Sequence, residues 1–97
     1  MDMLKVASSS SPGATAGAIA NSIREQGEAQ LQAIGPRAVN QAVKAIAIAR
    51  GYLAASGVDL YFIPGFSTVR IEELEKTAIQ FSVRTRHPVF GRVEELF

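Results

Sequence analysis

Ninety-seven residues with a formal charge of +1 and an ordinary globular composition fit one domain with a modest core. The near-balance of charge advertises no global field for nucleic acid or membrane, and the lack of cysteine excludes disulfides, thiol catalysis and thiolate metal sites. The opening MDMLKV has neither the basic nor the apolar part of an export signal, and no apolar run approaches the ~20 residues of a membrane span, so a soluble cytoplasmic protein is expected.

Residues 3–7, MLKVA, alternate as a short strand with Leu4 and Val6 on one face. SSSSPG then interrupts. Ser11 is suited to cap a helix and Pro12 to occupy its first position. The first helix is expected over about 12–26, with Ala16, Ile19, Ala20 and Ile23 at helical spacing and Gly27 as a left-handed stop. In EAQLQAI, residues 28–34, Ala29, Leu31 and Ala33 point one way and Gln30 and Gln32 the other, the pattern of a half-buried strand.

IGPRAVNQAVKAIAIAR, residues 34–50, is the most unusual stretch. Gly35 and Pro36 open a second helix that reaches Ala54 or Ala55, with Gly51 inside it at a cost of roughly 1 kcal/mol relative to alanine. One apolar stripe, Val39, Ala42, Val43, Ile46 and Ala49, is expected to pack on the sheet. A second, Ala38, Ala45 and Ile48, lies on another face and is expected to meet another subunit. The polar remainder, Arg37, Asn40, Gln41, Lys44 and Arg50, contains no acid, and none occurs between Glu28 and Asp59.

VDLYFIPG reads as a third strand interrupted at Pro64, where the lost ladder donor implies an edge or a bend. FSTVRI continues extended, EELE forms a solvated turn, and KTAIQFSVRTR returns as a strand with Ile79, Phe81 and Val83 inward. The tail HPVFGRVEELF, residues 87–97, is a C-terminal extension to a domain spanning 1–86, either loose or a short docked helix. The order β-α-β-α-β-β predicts an α+β fold with two helices packed on one face of a four-stranded mixed sheet, the last two strands forming a projecting hairpin.

Little in the chain suggests catalysis. His87 is the only histidine and has no second histidine to complete a metal site, so an incidental surface residue is the simpler reading. SSSSPGATAG offers either a plain capped turn or an anion site at a helix N-terminus, without the lysine of a P-loop. Glu72, Glu73 and Glu75 are more simply a solvated tip than an acidic site. No set of nucleophile, base and oxyanion donor assembles, so neither an enzyme nor a cofactor is expected. Arg37, Gln41 and Lys44 line one strip of the second helix with Asn40 beside it. A cation in the first turn opposes the helix dipole, so Arg37 has no local stabilising reason to be there, which favours a role facing a ligand. Arg70 and Lys76 flank the acidic turn. Scattered arginines and lysines with polar neighbours are what phosphate backbones are held by.

LKVASSSSPGATAGAIANSIRE, LQAIGPRAVNQAVKAIAIARGYLAASGVDL, IPGF and KTAIQFSV together resemble the stage V sporulation protein S family over about residues 3–86. That family is similar in fold to Alba, the archaeal chromatin protein. The resemblance implies a small non-enzymatic regulator that binds DNA or RNA and assembles as a homodimer or homotetramer, in the cytoplasm or on the nucleoid. Alba-type proteins contact nucleic acid through the loop before the first helix, the start of the second helix and the hairpin, here Ser8–Gly13, Arg37–Lys44 and Thr68–Thr77. Arg37 matches an Alba arginine, whereas the adjacent loop lysines of Alba are replaced by serines, which lowers the expected affinity. The residues expected to bind nucleic acid are Ser10, Ser11, Arg37, Asn40, Lys44, Arg70 and Lys76, and those expected at an oligomer interface are Ala38, Ala45 and Ile48. The alternative is an oligomeric protein–protein interaction module in which the basic strip is incidental.

Overall fold

A computed structural model describes residues 2–86. The chain runs β1 (Met3–Val6), α1 (Pro12–Gln26), β2 (Glu28–Ala33), α2 (Pro36–Ala54), β3 (Asp59–Ile71) and β4 (Leu74–Arg86). The expected order and both helix spans are observed. His87 and the rest of the tail lie outside the described residues.

The local signals act as read. The Ser11 side chain accepts from the Ala14 amide at 3.3 Å, Pro12 occupies the first turn, and α1 ends on Gly27 at φ +80°, whose amide donates to the Ile23 carbonyl. A short way on, the Ser22 hydroxyl donates to the Glu28 carbonyl at 2.7 Å, which ties the last turns of α1 to the start of β2.

The sheet order is β1-β2-β4-β3. β1 and β2 are parallel, pairing Met3 with Gln30 through Val6 with Ala33, while β2–β4 and β4–β3 are antiparallel. Both helices cover the face that carries Val6, Ala29, Leu31, Ala33, Phe81 and Val83, all buried. Phe62 meets Phe81 edge-on with ring centroids 5.3 Å apart, a geometry worth roughly 0.5–1.5 kcal/mol beyond burial.

The opposite face stays open and reads as a row of amides and hydroxyls. Gln30 Oε1 accepts from both Gln80 Nε2 and Ser82 Oγ at 3.1 Å, and Gln32 Nε2 donates to Ser67 Oγ at 3.3 Å. The strict alternation of residues 28–33 thus separates a dry face from a hydrogen-bonded one.

Three features differ from the sequence reading. β3 runs unbroken through Pro64 for 13 residues. Counted back from the closing pair Ile71–Leu74, alternate β3 residues face β4, and Pro64 is out of phase with them, so its nitrogen points to the free edge and no ladder bond is lost. The turn is only Glu72 and Glu73, at φ 48° and 70°, and β4 begins at Leu74 rather than at Lys76.

The third difference is in α2. Ala38 is 3% exposed and Ala45 fully buried, both within the core of this one chain, and Ile48 packs against that core. Ala38 and Ala45 thus serve the core of the single chain, while Ile48 stays partly exposed. α1 and α2 lie against each other, and small side chains are what let two helices approach closely. Val43, expected against the sheet, is instead 41% exposed, on a flank that α1 does not cover.

Candidate phosphate-binding hollow and its surroundings

The loop after β1 and the start of α2 meet at one end of the sheet. Ser10 shapes that loop: its hydroxyl oxygen accepts from the Ala7 amide at 2.8 Å and its own amide donates to the Ala7 carbonyl at 3.0 Å. Gln41, one turn into α2, donates through Nε2 to the Ser10 carbonyl at 2.8 Å, so helix and loop are held in one geometry.

Between them lies an open hollow lined by Ser8, Ser9, Arg37, Asn40 and Gln41, every one polar or cationic and none acidic. Gly35, at φ +89°, precedes α2 and supplies no side-chain cap, and Pro36 has no amide hydrogen. The remaining first-turn amides and the positive end of the helix dipole therefore add to the charge of Arg37. Among the described residues no ion pair engages Arg37 or Lys44.

The seven residues expected from sequence are thus distributed unequally. Arg37 and Asn40 share the hollow. Ser10 and Ser11 use their oxygens as loop and cap acceptors, while Ser8 and Ser9, at the start of the expected contact segment, line the hollow with Gln41. Lys44 is exposed farther along α2. Arg70 and Lys76 stand on the hairpin arm, where Arg70 Nη2 lies 3.6 Å from Glu75 Oε1 in an exposed pair that solvent screens.

The arm extends past the last β2–β4 pair, Ala33–Ile79. β1 and β3 are on opposite edges of the sheet, yet Lys5, Ala7 and Ser8 share a second hollow with Val69, Arg70 and Ile71. The arm therefore crosses toward β1 on the open side of the sheet, consistent with the buried Ala78 and the Gln32–Ser67 bond.

At the other end, Asp59 is flanked by two arginines. Arg50 Nε donates to its Oδ1, Arg86 Nε donates to its Oδ2 at 2.8 Å, and the Leu60 amide donates to Oδ1 at 2.9 Å. The arginine hydrogen bonds, Arg50 first, hold this carboxyl well below the usual carboxylate range, and Asp59 raises the pKa of Arg50. This cluster joins α2 to the start of β3 and the end of β4 and carries no feature of a reaction centre.

No helix among the described residues is long and apolar enough to cross a membrane. A model of the family described as Stage V sporulation protein S matches residues 2–86. Among solved structures, Alba from Thermoplasma volcanium is similar with a TM-score of 0.58, covering 89% of this chain and 100% of that one at 11% identity. At that identity the likeness is one of fold.

Proposed function

The chain belongs to the Stage V sporulation protein S family, and from that premise we propose that it is a small regulatory protein that binds the backbone of DNA or RNA as a homo-oligomer. The observation that carries this reading is the hollow of Ser8, Ser9, Arg37, Asn40 and Gln41, a cationic, hydroxyl- and amide-lined cleft without a carboxylate. Phosphate oxygens accept from such donors, and backbone contacts position a protein on nucleic acid without reading its sequence. Lys44 on α2 and Arg70 and Lys76 on the arm extend the footprint, while Ser10 and Ser11 act by shaping the loop. With few cations per protomer, affinity depends on presenting several copies of the hollow together.

Ala38 and Ala45 are buried in the single chain, so the support for that assembly comes from exposed side chains of α2 and β3. Val43 and Ala47 of α2 border a groove with Phe62, and Phe66 farther along β3 is 83% exposed. A second copy of this chain is the occupant we assign. A two-fold contact there would bring Val43, Ala47 and Phe62 against their counterparts, with Arg50 and Arg86, both held by Asp59, at the margin. The same patch favours the second reading, an interaction module whose basic hollow is incidental.

Salt-titrated mobility shifts on a sample of known mass, with single- and double-stranded probes, separate the two. Binding that weakens steeply with salt supports nucleic-acid function. A stable oligomer that ignores every probe supports the interaction module.

A further inference from the structure

The flank of α2 that α1 leaves uncovered forms a groove with the start of β3, and its charge is one-sided. Val43, Ala47, Tyr61 and Phe62 supply apolar and aromatic surface, Arg50 and Arg86 line one end, and none of the described lining residues is acidic. Both arginines reach Asp59 through Nε, so one carboxylate answers two guanidinium groups and a positive charge remains at the margin. Arg86 closes β4, so the chain that follows it, residues 87–97, starts at that same margin. A neighbouring hollow also borders Arg86, but its floor residues Ile23 and Leu53 are already buried, whereas Val43 is 41% and Tyr61 38% exposed.

We propose that this groove is covered by the chain's own residues 87–97, with Phe90 against Val43 and Phe62 and with Glu94 and Glu95 paired to Arg50 and Arg86. The segment has the matching chemistry: Val89, Phe90, Val93, Leu96 and Phe97 are apolar and its only acids are the two glutamates. It also has the reach. Val43 lies about 10 Å along α2 from Arg50, and four extended residues span roughly 13 Å, so Phe90 arrives at Val43 and Gly91 lets the chain turn back to the arginines. The segment lies beyond residues 2–86, which the family model matches, so the cover is an addition to the shared domain. The groove is the surface assigned above to a second copy, and the two occupants compete for it. Tethering gives the segment an effective concentration in the millimolar range, so it holds the groove in dilute protein and yields as protein concentration rises. This competition rests on the assembly reading above, whereas the contact itself does not.

The chain contains no cysteine, so Arg92→Cys carries a single nitroxide label in the otherwise unchanged protein. In dilute samples the amide signals of Val43, Ala47 and Phe62 are expected to broaden and to recover when the label is reduced. No broadening, or broadening confined to residues outside the groove, overturns the proposal. Broadening that appears only when labelled and isotope-enriched copies are mixed places the segment on a second copy and overturns it equally. A second variant combines Phe90→Ser, Glu94→Gln and Glu95→Gln, all beyond the last strand, so the six elements remain. It is expected to lower the concentration needed for assembly roughly tenfold, read by light scattering over a dilution series. Unchanged or weaker assembly overturns the competition. If wild type and variant both stay monomeric at every concentration, the assembly reading falls and the broadening alone decides the contact.

Discussion

The side-chain amide of Gln41 donates to the backbone carbonyl of Ser10 at 2.8 Å, joining the start of α2 to a loop 31 residues earlier. This bond sets the distance between Arg37 and the Ser8–Ser9 turn. Gln41→Ala removes it and leaves the Ser10 carbonyl to water. The expected stability loss is about 1 kcal/mol, read as a lower urea midpoint. Nucleic-acid affinity should fall severalfold because the hollow loses its preset shape. Full affinity in a protein whose loop amides exchange faster contradicts the role given to Gln41.

The tip of the hairpin stores backbone strain. Glu72 and Glu73 both sit at positive φ, in a two-residue turn that Asn-Gly fills without penalty. Replacing them, Glu72→Asn with Glu73→Gly, is expected to stabilise the arm by about 1 kcal/mol or slightly more. Confined to the arm, the change should appear as roughly fivefold slower amide exchange at Val69 and Lys76. Unchanged exchange there means the turn carries no such strain.

Asp59 connects acid stability to the Arg50 and Arg86 contacts. Its pKa is lowered in the folded chain, so its contribution is present above the ordinary value of about 4 and is lost as pH falls through the folded value. Asp59→Asn should lower the melting temperature at neutral pH and shrink the difference between wild type and variant in strong acid. A gap that persists undiminished there contradicts the ion-pair account.

The apolar flank predicts assembly through β3 and α2. Phe66→Asp alters a side chain that is 83% exposed, so the fold should remain while the oligomer dissociates. Light scattering should report a smaller mass and unchanged circular dichroism. Retention of the wild-type mass places the interface elsewhere.

Much of the fold was legible because periodicity and capping act locally. Residues 28–33 declare two faces by strict alternation, and Ser11, Pro12 and Gly27 bracket α1. Ala38 and Ala45 are ambiguous in sequence because a small side chain suits a second subunit and a neighbouring helix equally well. Only the position of α1 decides between them. Arg37, Asn40 and Gln41 stood out by their place on one polar strip of the second helix, whereas Ser8 and Ser9 enter the site through the turn around Ser10. Lys5 was silent for a similar reason. Its partners on the arm lie more than sixty residues away in the chain, and the twist of a hairpin beyond the sheet leaves no pattern in sequence.

The most direct test of nucleic-acid binding at the hollow is the dependence of affinity on salt for wild type and Arg37→Ala, measured on samples of equal oligomeric mass. The wild type should bind at low salt and lose affinity steeply as salt rises, and the variant should bind more weakly with a slope shallower by about 1 per site engaged. Identical slopes and affinities in the two proteins, or salt-independent binding by the wild type, contradict the account.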